Sequence, residues 1–497
     1  MASQASSYGP ARVTILQRVR ALSGYGKAFL LVFILTLPLV NPWVHGDGVG
    51  YYAYIHSLLI DHNLDFRDEW KAANPGFITF RLDQNGEINP IFYTSTGHLD
   101  NHFSVGPSIL WAPFLVPVHV AMLTLQRLGM DVKPDGLSRP YVVTMALATA
   151  LYGFLGLCFS YRLARVYTEE RWAFLATLGI WFASSLPVYM YFNPSWSHAH
   201  SVFAVGLFLW YWHSTRGGRT LMQWIVLGLL SGLMLDVYYP NIAVLLVPLV
   251  ESLRKYWQAW RAPGRDWTAI RRLFSANLLY CLFTVIAFLP TLITREVIYG
   301  HPFEFGYGGP DVWRWKSPVL WKVLFSSNHG LLTWTPIVIP AVLGLVFLRK
   351  RDKEMAAYLS IACLAFYYLI ASHHNWDGIS SFGNRFFISL TPVFVLGLST
   401  TLSEAAKWFK SIRIASLAFA AATGLFILWN LAFIFQWGVH LVPARGPISW
   451  KRMASSQFTV VPQQLWSKTK VYFGNRPALM RQIDEQDVKQ QEKDLGR

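Results

Sequence analysis

The sequence is short of charged residues and of cysteine. Asp, Glu, Lys and Arg make up 14% of its 497 residues, whereas a soluble globular protein carries about 25%. So few charges cannot cover a water-exposed surface, which excludes a soluble enzyme and a soluble enzyme on a single membrane anchor. The three cysteines lie in apolar runs, so neither a disulfide framework nor a cysteine metal cluster is predicted.

Several motifs are also missing. The sequence contains no HExxH string, no repeat of fixed period and no nucleic-acid recognition motif. A zinc-protease site and a transporter built from repeats are therefore not favoured. The net charge of +16 does not indicate nucleic-acid binding either, because basic residues gather in the cytoplasmic loops of membrane proteins.

Apolar and aromatic residues are what the sequence has in excess. Hydrophobic residues reach 53%, aromatic residues 16%, and the mean hydropathy is +0.32. This composition predicts an all-α polytopic membrane protein whose aromatic side chains meet the bilayer interface. The basic stretch before residue 28 leads into an apolar run, 28–44, without a clear small-residue cleavage site. We therefore predict an uncleaved first span.

The number of spans depends on one apolar run, 106–126. It contains three prolines, which interrupt helical hydrogen bonding. If this run lies at the outer interface as juxtamembrane helices, eleven spans of about 20 residues remain. Lys and Arg then number 22 in the cytoplasmic segments and 11 in the outer loops. If the run crossed the bilayer, the basic stretches 254–272 and 349–353 would lie outside, so the positive-inside rule favours eleven spans.

The eleven-span topology predicts three regions. Residues 1–27 form a basic cytoplasmic N-terminus, and 28–437 form the membrane domain with outer loops 45–139 and 295–330. Residues 438–497 form an outer tail, and its polar end, 479–497, is expected to be poorly ordered. The protein is predicted to be a multi-pass protein of the plasma (inner) membrane, with its active site facing the periplasm or exterior.

One carboxylate in the first outer loop stands apart from its neighbours. Asp47 follows the first span within three residues and lies between Gly46 and Gly48, which allow a ligand to approach the backbone closely. A carboxylate at the membrane boundary is costly unless it is solvated or used. Two interpretations stay open, a solvated helix-capping residue and a catalytic base. The later carboxylates Asp65 and Glu69 are predicted to be solvated.

Polar side chains, especially histidines, gather on the same outer face. Seven of the 14 histidines lie beside Asp47 or in three short clusters, which favours a polar cavity at that face. The spacing of these histidines gives no metal site, so hydrogen bonding to a polyol or a phosphate is the better hypothesis. The candidate substrate-binding residues, besides Arg385, are His45, Asp100, His102, Asn193, His198, His200, His374 and Asp377.

Arg385 is the strongest candidate for a phosphate ligand. It follows a glycine-containing loop at the outer start of an apolar span. A guanidinium group there could bind a phosphate through two parallel hydrogen bonds. The alternative is an arginine that only anchors its span at the interface.

Four short segments together resemble the GT-C glycosyltransferases, in particular the bacterial relatives of protein O-mannosyltransferases and of lipid A aminoarabinose transferases. The segments are 45–48 with its acidic residue, 101–108 opening the proline-containing run, 193–200, and the Gly-x-Arg-aromatic string 383–386. The resemblance covers residues 28–437. The sequence departs from the family pattern where Gly48 replaces a second acidic residue, and where the segment before Pro107 lacks a lysine.

The resemblance implies a function and a set of partners. It implies transfer of a sugar, with inversion, from a polyprenyl-phosphate donor to an acceptor hydroxyl on the non-cytoplasmic face. Asp47 would be the general base, Arg385 would stabilise the leaving phosphate, and the lipid tail would lie along 106–126. No cofactor and no metal are expected, and the partners are the donor, membrane lipids and a glycan, lipid or protein acceptor, without nucleic acid. The alternatives are an O-antigen ligase or polymerase using pyrophosphate-linked glycans, and a non-catalytic lipid or sugar transporter.

The topology can be tested by cysteine labelling. Single cysteines introduced in 45–105 or in the tail 438–497 should react with a membrane-impermeant reagent from outside the cell. Cysteines at 260–268 should react only after the membrane is permeabilised, because that loop is basic and therefore cytoplasmic. Outside labelling at 260–268 would contradict the eleven-span topology.

Overall fold

The computed structural model describes residues 21–306 and 312–494. These residues contain isolated β-bridges but no β-strand. They form twenty α-helices, which are, in chain order, α1 Gly24–Thr36, α2 Asp47–His56, α3 Arg67–Lys71, α4 Pro75–Ile78, α5 Gly106–Arg127, α6 Arg139–Tyr167, α7 Glu170–Phe182, α8 His198–Thr215, α9 Leu221–Val237, α10 Leu246–Arg261, α11 Trp267–Tyr299, α12 Leu320–Phe325, α13 Leu331–Trp334, α14 Val338–Leu348, α15 Lys353–Ser372, α16 Thr391–Ala405, α17 Ile412–Gly438, α18 Trp450–Phe458, α19 Val460–Gly474 and α20 Arg476–Asp494.

The protein is a helical, multi-pass membrane protein. Within the described ranges, six helical segments are long and apolar enough to cross a bilayer, namely α5, α6, α11, α15, α17 and the segment Arg385–Trp408 that includes α16. Shorter apolar helices include α9 and α14. The count of eleven spans stays a prediction. The segment Arg385–Trp408 is the most enclosed of the six, with 83% of its apolar window buried against 11% for α11.

The proline-containing run 106–126 forms one continuous helix, α5. Pro107 lies in the first turn, where the missing N–H breaks no helical hydrogen bond. Buried hydrogen bonds fix α5 to its neighbours: Ser108 Oγ donates to the Tyr51 carbonyl at 2.7 Å, and Trp111 Nε1 donates to Thr149 Oγ1 at 2.9 Å. By length and hydropathy α5 could cross a bilayer, so its interfacial position also stays a prediction.

The segments predicted to lie on the outer face are largely helical. The loop 45–105 contains the short helices α2, α3 and α4. The tail forms α18 to α20, and the expectation of poor order in 479–497 is wrong for the described residues 479–494. They belong to α20, whose Asp484 is buried. This polar helix is ordered because it contacts the first outer loop, where Gln491 Nε2 donates to the Gly76 carbonyl at 3.3 Å.

Small residues bring the central helices into close contact. A Cβ atom added to Gly344 of α14 would lie 1.7 Å from the carbonyl oxygen of Gly397 in α16. Thr400 Oγ1 spans the same interface by donating to the Gly344 carbonyl at 2.8 Å. Glycine-mediated backbone contact is a common way of packing membrane helices, because lipid provides little hydrophobic drive between them.

This contact predicts unequal effects of two alanine substitutions. Gly344→Ala should destabilise the protein by about 1–3 kcal/mol, because the added methyl group forces α14 and α16 apart. Gly424→Ala in α17 is the matched control, since its Cβ would meet no atom within 4 Å. It should be neutral or slightly stabilising. Thermal unfolding in detergent measures both, and equal shifts would contradict the described packing.

Candidate functional site

An ion pair between Asp47 and Arg385 forms the centre of the candidate site. Asp47 Oδ2 lies 2.7 Å from one terminal nitrogen of Arg385. Asp47 is the first residue of α2, and Arg385 is the first residue of the 3-10 helix Arg385–Leu390 that opens the most enclosed span. The structure therefore brings together the two residues that the sequence analysis assigned to base and phosphate ligand. The Asp47 side chain is 32% exposed and that of Arg385 is 10% exposed.

Glycines allow the start of α2 to fit closely against the loop before α8. Gly46 has a φ angle of +54°, a conformation that side chains disfavour. A Cβ atom on Gly48 would lie 1.9 Å from Ser195 Oγ. Residues 48–56 are all buried. The flanking glycines are thus needed for packing, and they hold the Asp47 carboxylate at the edge of a buried helix.

Arg385 retains hydrogen-bonding capacity beyond the ion pair. Its guanidinium carbon lies 4.3 Å from the centre of the Trp196 ring, which is a favourable cation–π distance. Its Nε and its other terminal nitrogen are buried and have no hydrogen-bond partner among the described residues. Buried polar groups are normally hydrogen-bonded. Two donors on a buried cation are therefore available to an anionic ligand.

His45, from the first loop, and Trp196, from the loop before α8, enclose the pair. Trp196 Nε1 donates to the His45 carbonyl at 3.0 Å, and the His45 ring stacks on Trp43 with ring centres 3.8 Å apart. Burial lowers the pKa of His45 to about 4, an effect that Asp487 and Asp47 only partly oppose. The imidazole is thus neutral at pH 7 and can serve as a hydrogen-bonding group.

The two histidines of the predicted cluster 193–200 contact different parts of the structure. The His198 ring centre lies 4.7 Å from that of Tyr189, and Arg385 is close enough to influence its charge. The His200 ring packs edge-on against Trp111, with ring centres 5.0 Å apart. Because residues i and i+2 of a helix face different directions, His198 joins the site and His200 enters the packing of α5 and α8.

A second group of charged residues lies next to Asp47. Tyr299 donates a hydrogen bond to Asp100, and His102 Nδ1 lies 4.0 Å from the same carboxylate. Burial lowers the pKa of His102. Burial also lowers the pKa of Arg81, while Asp47 and Asp100 oppose that effect, so Arg81 lies within electrostatic range of both carboxylates. Arg81 has no motif around it, and the sequence analysis did not identify it.

The remaining predicted residues shape the loop that leads to Arg385. His374 is exposed and its Nδ1 lies 3.1 Å from an Arg314 nitrogen. Asn328 donates to the Asp377 carboxylate at 2.7 Å, and His329 Nδ1 lies 2.9 Å from the Asp377 carbonyl oxygen. Asp377 therefore fixes the loop to residues 328–329, which is a positioning role.

An apolar cavity of about 250 Å³ adjoins the ion pair. Trp196, which also contacts Arg385, lines the cavity. Its polar lining residues include Asn41, His45, Asn193, His440, Lys468 and Asp487. Its apolar wall comes from α17, α19 and α20, through Ile434, Phe435, Trp437, Tyr472, Phe473 and Ile483. The C-terminal helices α19 and α20 are thus part of the site's surroundings.

A hydrogen-bonded bridge connects this tail to the residue before Asp47. The Gly46 N–H donates to Asn74 Oδ1 at 3.2 Å, and Asn74 Nδ2 donates to Asp484 Oδ1 at 2.5 Å. The same Asp484 oxygen accepts from the Gly76 N–H at 3.0 Å. This bridge could not be predicted, because Asn74 and Asp484 are 410 residues apart and belong to no motif.

Comparison with solved structures returns membrane glycosyltransferases. ArnT from Cupriavidus metallidurans bound to undecaprenyl phosphate matches 93% of this chain and 77% of its own length, at 14% identity and a TM-score of 0.45. The apo state of the same protein matches 93% of this chain and 74% of its own length, at 14% identity and a TM-score of 0.46. The Archaeoglobus fulgidus oligosaccharyltransferase tethered with an acceptor peptide matches 93% of this chain and 55% of its own length, at 12% identity and a TM-score of 0.40.

The chain is similar to GT-C enzymes. Both matched proteins have the GT-C fold that the sequence resemblance implies. No protein-family model matches the sequence, and no curated protein is significantly similar to it.

The bridge through Asn74 predicts a specific loss of order. Asp484→Ala leaves the Gly76 N–H and Asn74 Nδ2 without an acceptor, which costs about 1–3 kcal/mol. Hydrogen–deuterium exchange should become faster in residues 74–78 and in α20. Asp484→Asn keeps an acceptor oxygen and should exchange at nearly the wild-type rate. Glu485→Ala alters the exposed neighbour and is the control. Hydrogen–deuterium exchange that became faster in Glu485→Ala but not in Asp484→Ala would contradict the bridge.

Proposed function

We propose that this protein is an inverting glycosyltransferase that uses a polyprenyl-phosphate sugar at the non-cytoplasmic face of the membrane. The observation that carries the proposal is the Asp47–Arg385 ion pair, in which a partly exposed carboxylate adjoins a buried cation with two uncommitted donors. Glycosyl transfer with a phosphate leaving group requires a base and, beside it, a group that binds the phosphate anion. The motifs that contain both residues resemble those of GT-C enzymes.

Arg385 binds the phosphate of the donor. Its Nε and free terminal nitrogen donate to phosphate oxygens while the third nitrogen holds Asp47. Charge-assisted hydrogen bonds of this kind are about twice as strong as neutral ones. Because the guanidinium is enclosed by Trp196 and little water reaches it, its stabilisation of developing charge on the leaving oxygen is strong.

Asp47 accepts the proton of the acceptor hydroxyl. The hydroxyl oxygen forms a bond to the anomeric carbon as the bond from that carbon to the phosphate oxygen breaks, with oxocarbenium character. The proton passes to the Asp47 carboxylate, and the polyprenyl phosphate leaves with both electrons of the broken bond. Attack opposite the leaving group inverts the anomeric centre.

The ion pair couples these two events. When Asp47 gains the proton it loses its negative charge, and its attraction for Arg385 weakens. The guanidinium charge is then available to the phosphate, whose negative charge grows at the same stage. Three histidines surround this region and are proposed to bind the sugar hydroxyls, namely His45, His102 and His198. The lipid tail of the donor is proposed to lie along α5.

The assignment of Arg385 predicts a graded loss of transfer. Arg385→Ala should lower the rate by about 30- to 1,000-fold, since a charge-assisted contact in a desolvated site is removed. Arg385→Lys keeps the charge but loses the two parallel hydrogen bonds of the guanidinium group, so it should retain more activity than Arg385→Ala. Transfer from a polyprenyl-phosphate sugar is measured with purified protein in nanodiscs. Arg67→Ala, which alters an exposed arginine of the loop 45–105, is the control. Wild-type turnover by a folded Arg385→Ala protein would reduce Arg385 to a membrane anchor.

The assignment of Asp47 as the general base predicts a large loss of sugar transfer. Asp47→Asn is nearly isosteric and should fold, but transfer should fall by about 100-fold or more, because general-base help is worth 10²–10⁴. Asp65→Asn is the matched control, since Asp65 forms an exposed ion pair with Arg67. Loss of transfer in the control together with a near wild-type rate for Asp47→Asn would overturn the catalytic assignment.

A further inference from the structure

Three side chains that can bind a metal ion converge at the far end of α2. His56 Nδ1 lies 2.8 Å from Glu69 Oε1 and 3.5 Å from Asp61 Oδ2. The three atoms all lie within 4.8 Å of one another. His56 and Glu69 are buried, with 6% and 5% of their surfaces exposed. The prediction that Glu69 is a solvated carboxylate is therefore wrong, because α3 turns it inward onto α2.

An unusual backbone path brings these residues together. His56 ends α2, and Ser57–Asp61 continue it as a π-helix. The wider turn of a π-helix places residue i+5 beneath residue i, so Asp61 comes under His56. The chain then reverses through His62 and Phe66, both with positive φ angles, 55° and 66°. Sequence spacing could not reveal the cluster, because a regular α-helix would separate His56 from Asp61.

A single nitrogen of His56 faces both carboxylates. Its Nε2 lies 2.9 Å from the Asp135 carbonyl oxygen, which can only accept, so the Nε2 atom carries a proton. Nδ1 can hold at most one further proton, and that proton can be donated to Glu69 or to Asp61 but not fully to both. Within 21–306 and 312–494, no other cation pairs with either carboxylate.

We propose that His56, Asp61 and Glu69 bind a first-row divalent cation, of which Zn²⁺ and Mn²⁺ fit best. One imidazole nitrogen and two carboxylate oxygens suit these ions, with water completing the coordination. Ca²⁺ fits less well because it takes six to eight oxygen ligands. Metal-bound histidines commonly donate their other ring N–H to a carbonyl oxygen, as His56 does to Asp135.

The bound ion has a structural role at a distance from the chemistry. It joins the last residue of α2 to α3, while the contact with Asp135 joins α2 to the segment before α6. Tyr52 supports the same connection, because its hydroxyl donates to the Gly136 carbonyl at 2.6 Å. Since Asp47 is the first residue of this same helix, the metal fixes the helix that carries the proposed base. The metal site does not depend on that proposal.

Metal analysis of the full-length protein tests the site. The protein is purified in detergent without a polyhistidine tag, loaded with Zn²⁺ or Mn²⁺, desalted and measured by mass spectrometry of the elements. We expect one ion per chain. The double variant His56→Gln, Glu69→Gln should retain less than about a tenth of that amount, because two of its three ligands are weakened. His62→Asn and Asp65→Asn alter nearby exposed candidate ligands and should retain the full amount.

A second readout covers the case in which the double variant does not fold. The melting temperature of wild-type protein stripped with a chelator should rise on addition of Zn²⁺ or Mn²⁺, since a ligand that binds only the folded state stabilises it. Ca²⁺ should raise it less. The proposal is overturned if stripped wild-type protein neither binds nor is stabilised by any of these ions. It is also overturned if the double variant binds as much metal as the wild type, because the ion would then lie elsewhere.

Discussion

The ion pair between Asp47 and Arg385 connects two parts of the chain that must stay in register for the site to exist. One partner begins a buried helix of the first outer loop, and the other begins the most enclosed span of the membrane domain. A buried charge is expensive without a partner. The buried Arg385 therefore depends on the partly exposed Asp47 as its partner, and the contact joins the loop 45–105 to the membrane domain.

Much of the surrounding structure serves this contact. Gly48 allows α2 to lie directly on Ser195, and Trp196 covers the guanidinium from the same loop. Asn74 and Asp484 hold the backbone before Asp47 by linking α4 to α20. The tail is therefore part of the support for the site. It also supplies one wall of the adjoining apolar cavity.

The sequence was sufficient for the helical membrane class and for the choice of Asp47 and Arg385 as candidates. These depend on composition and on local strings. Their contact was not predictable, since nothing local indicates which loop an arginine will face. The burial of Glu69 and the order of 479–494 were missed for a related reason. Both depend on long-range packing, whereas their local sequences are polar. His200 was assigned to the site with His198, although helix geometry separates the two.

The most direct test of the account is the affinity of the purified protein for a polyprenyl phosphate without a sugar, compared between the wild type, Asp47→Asn and Arg385→Ala. If Arg385 holds the phosphate while Asp47 only accepts a proton, Asp47→Asn should bind the lipid at least as tightly as the wild type, because a competing negative charge is gone. Arg385→Ala should bind it more weakly. If Asp47→Asn lost affinity as strongly as Arg385→Ala, or if neither substitution changed it, the division of roles within the ion pair would be contradicted.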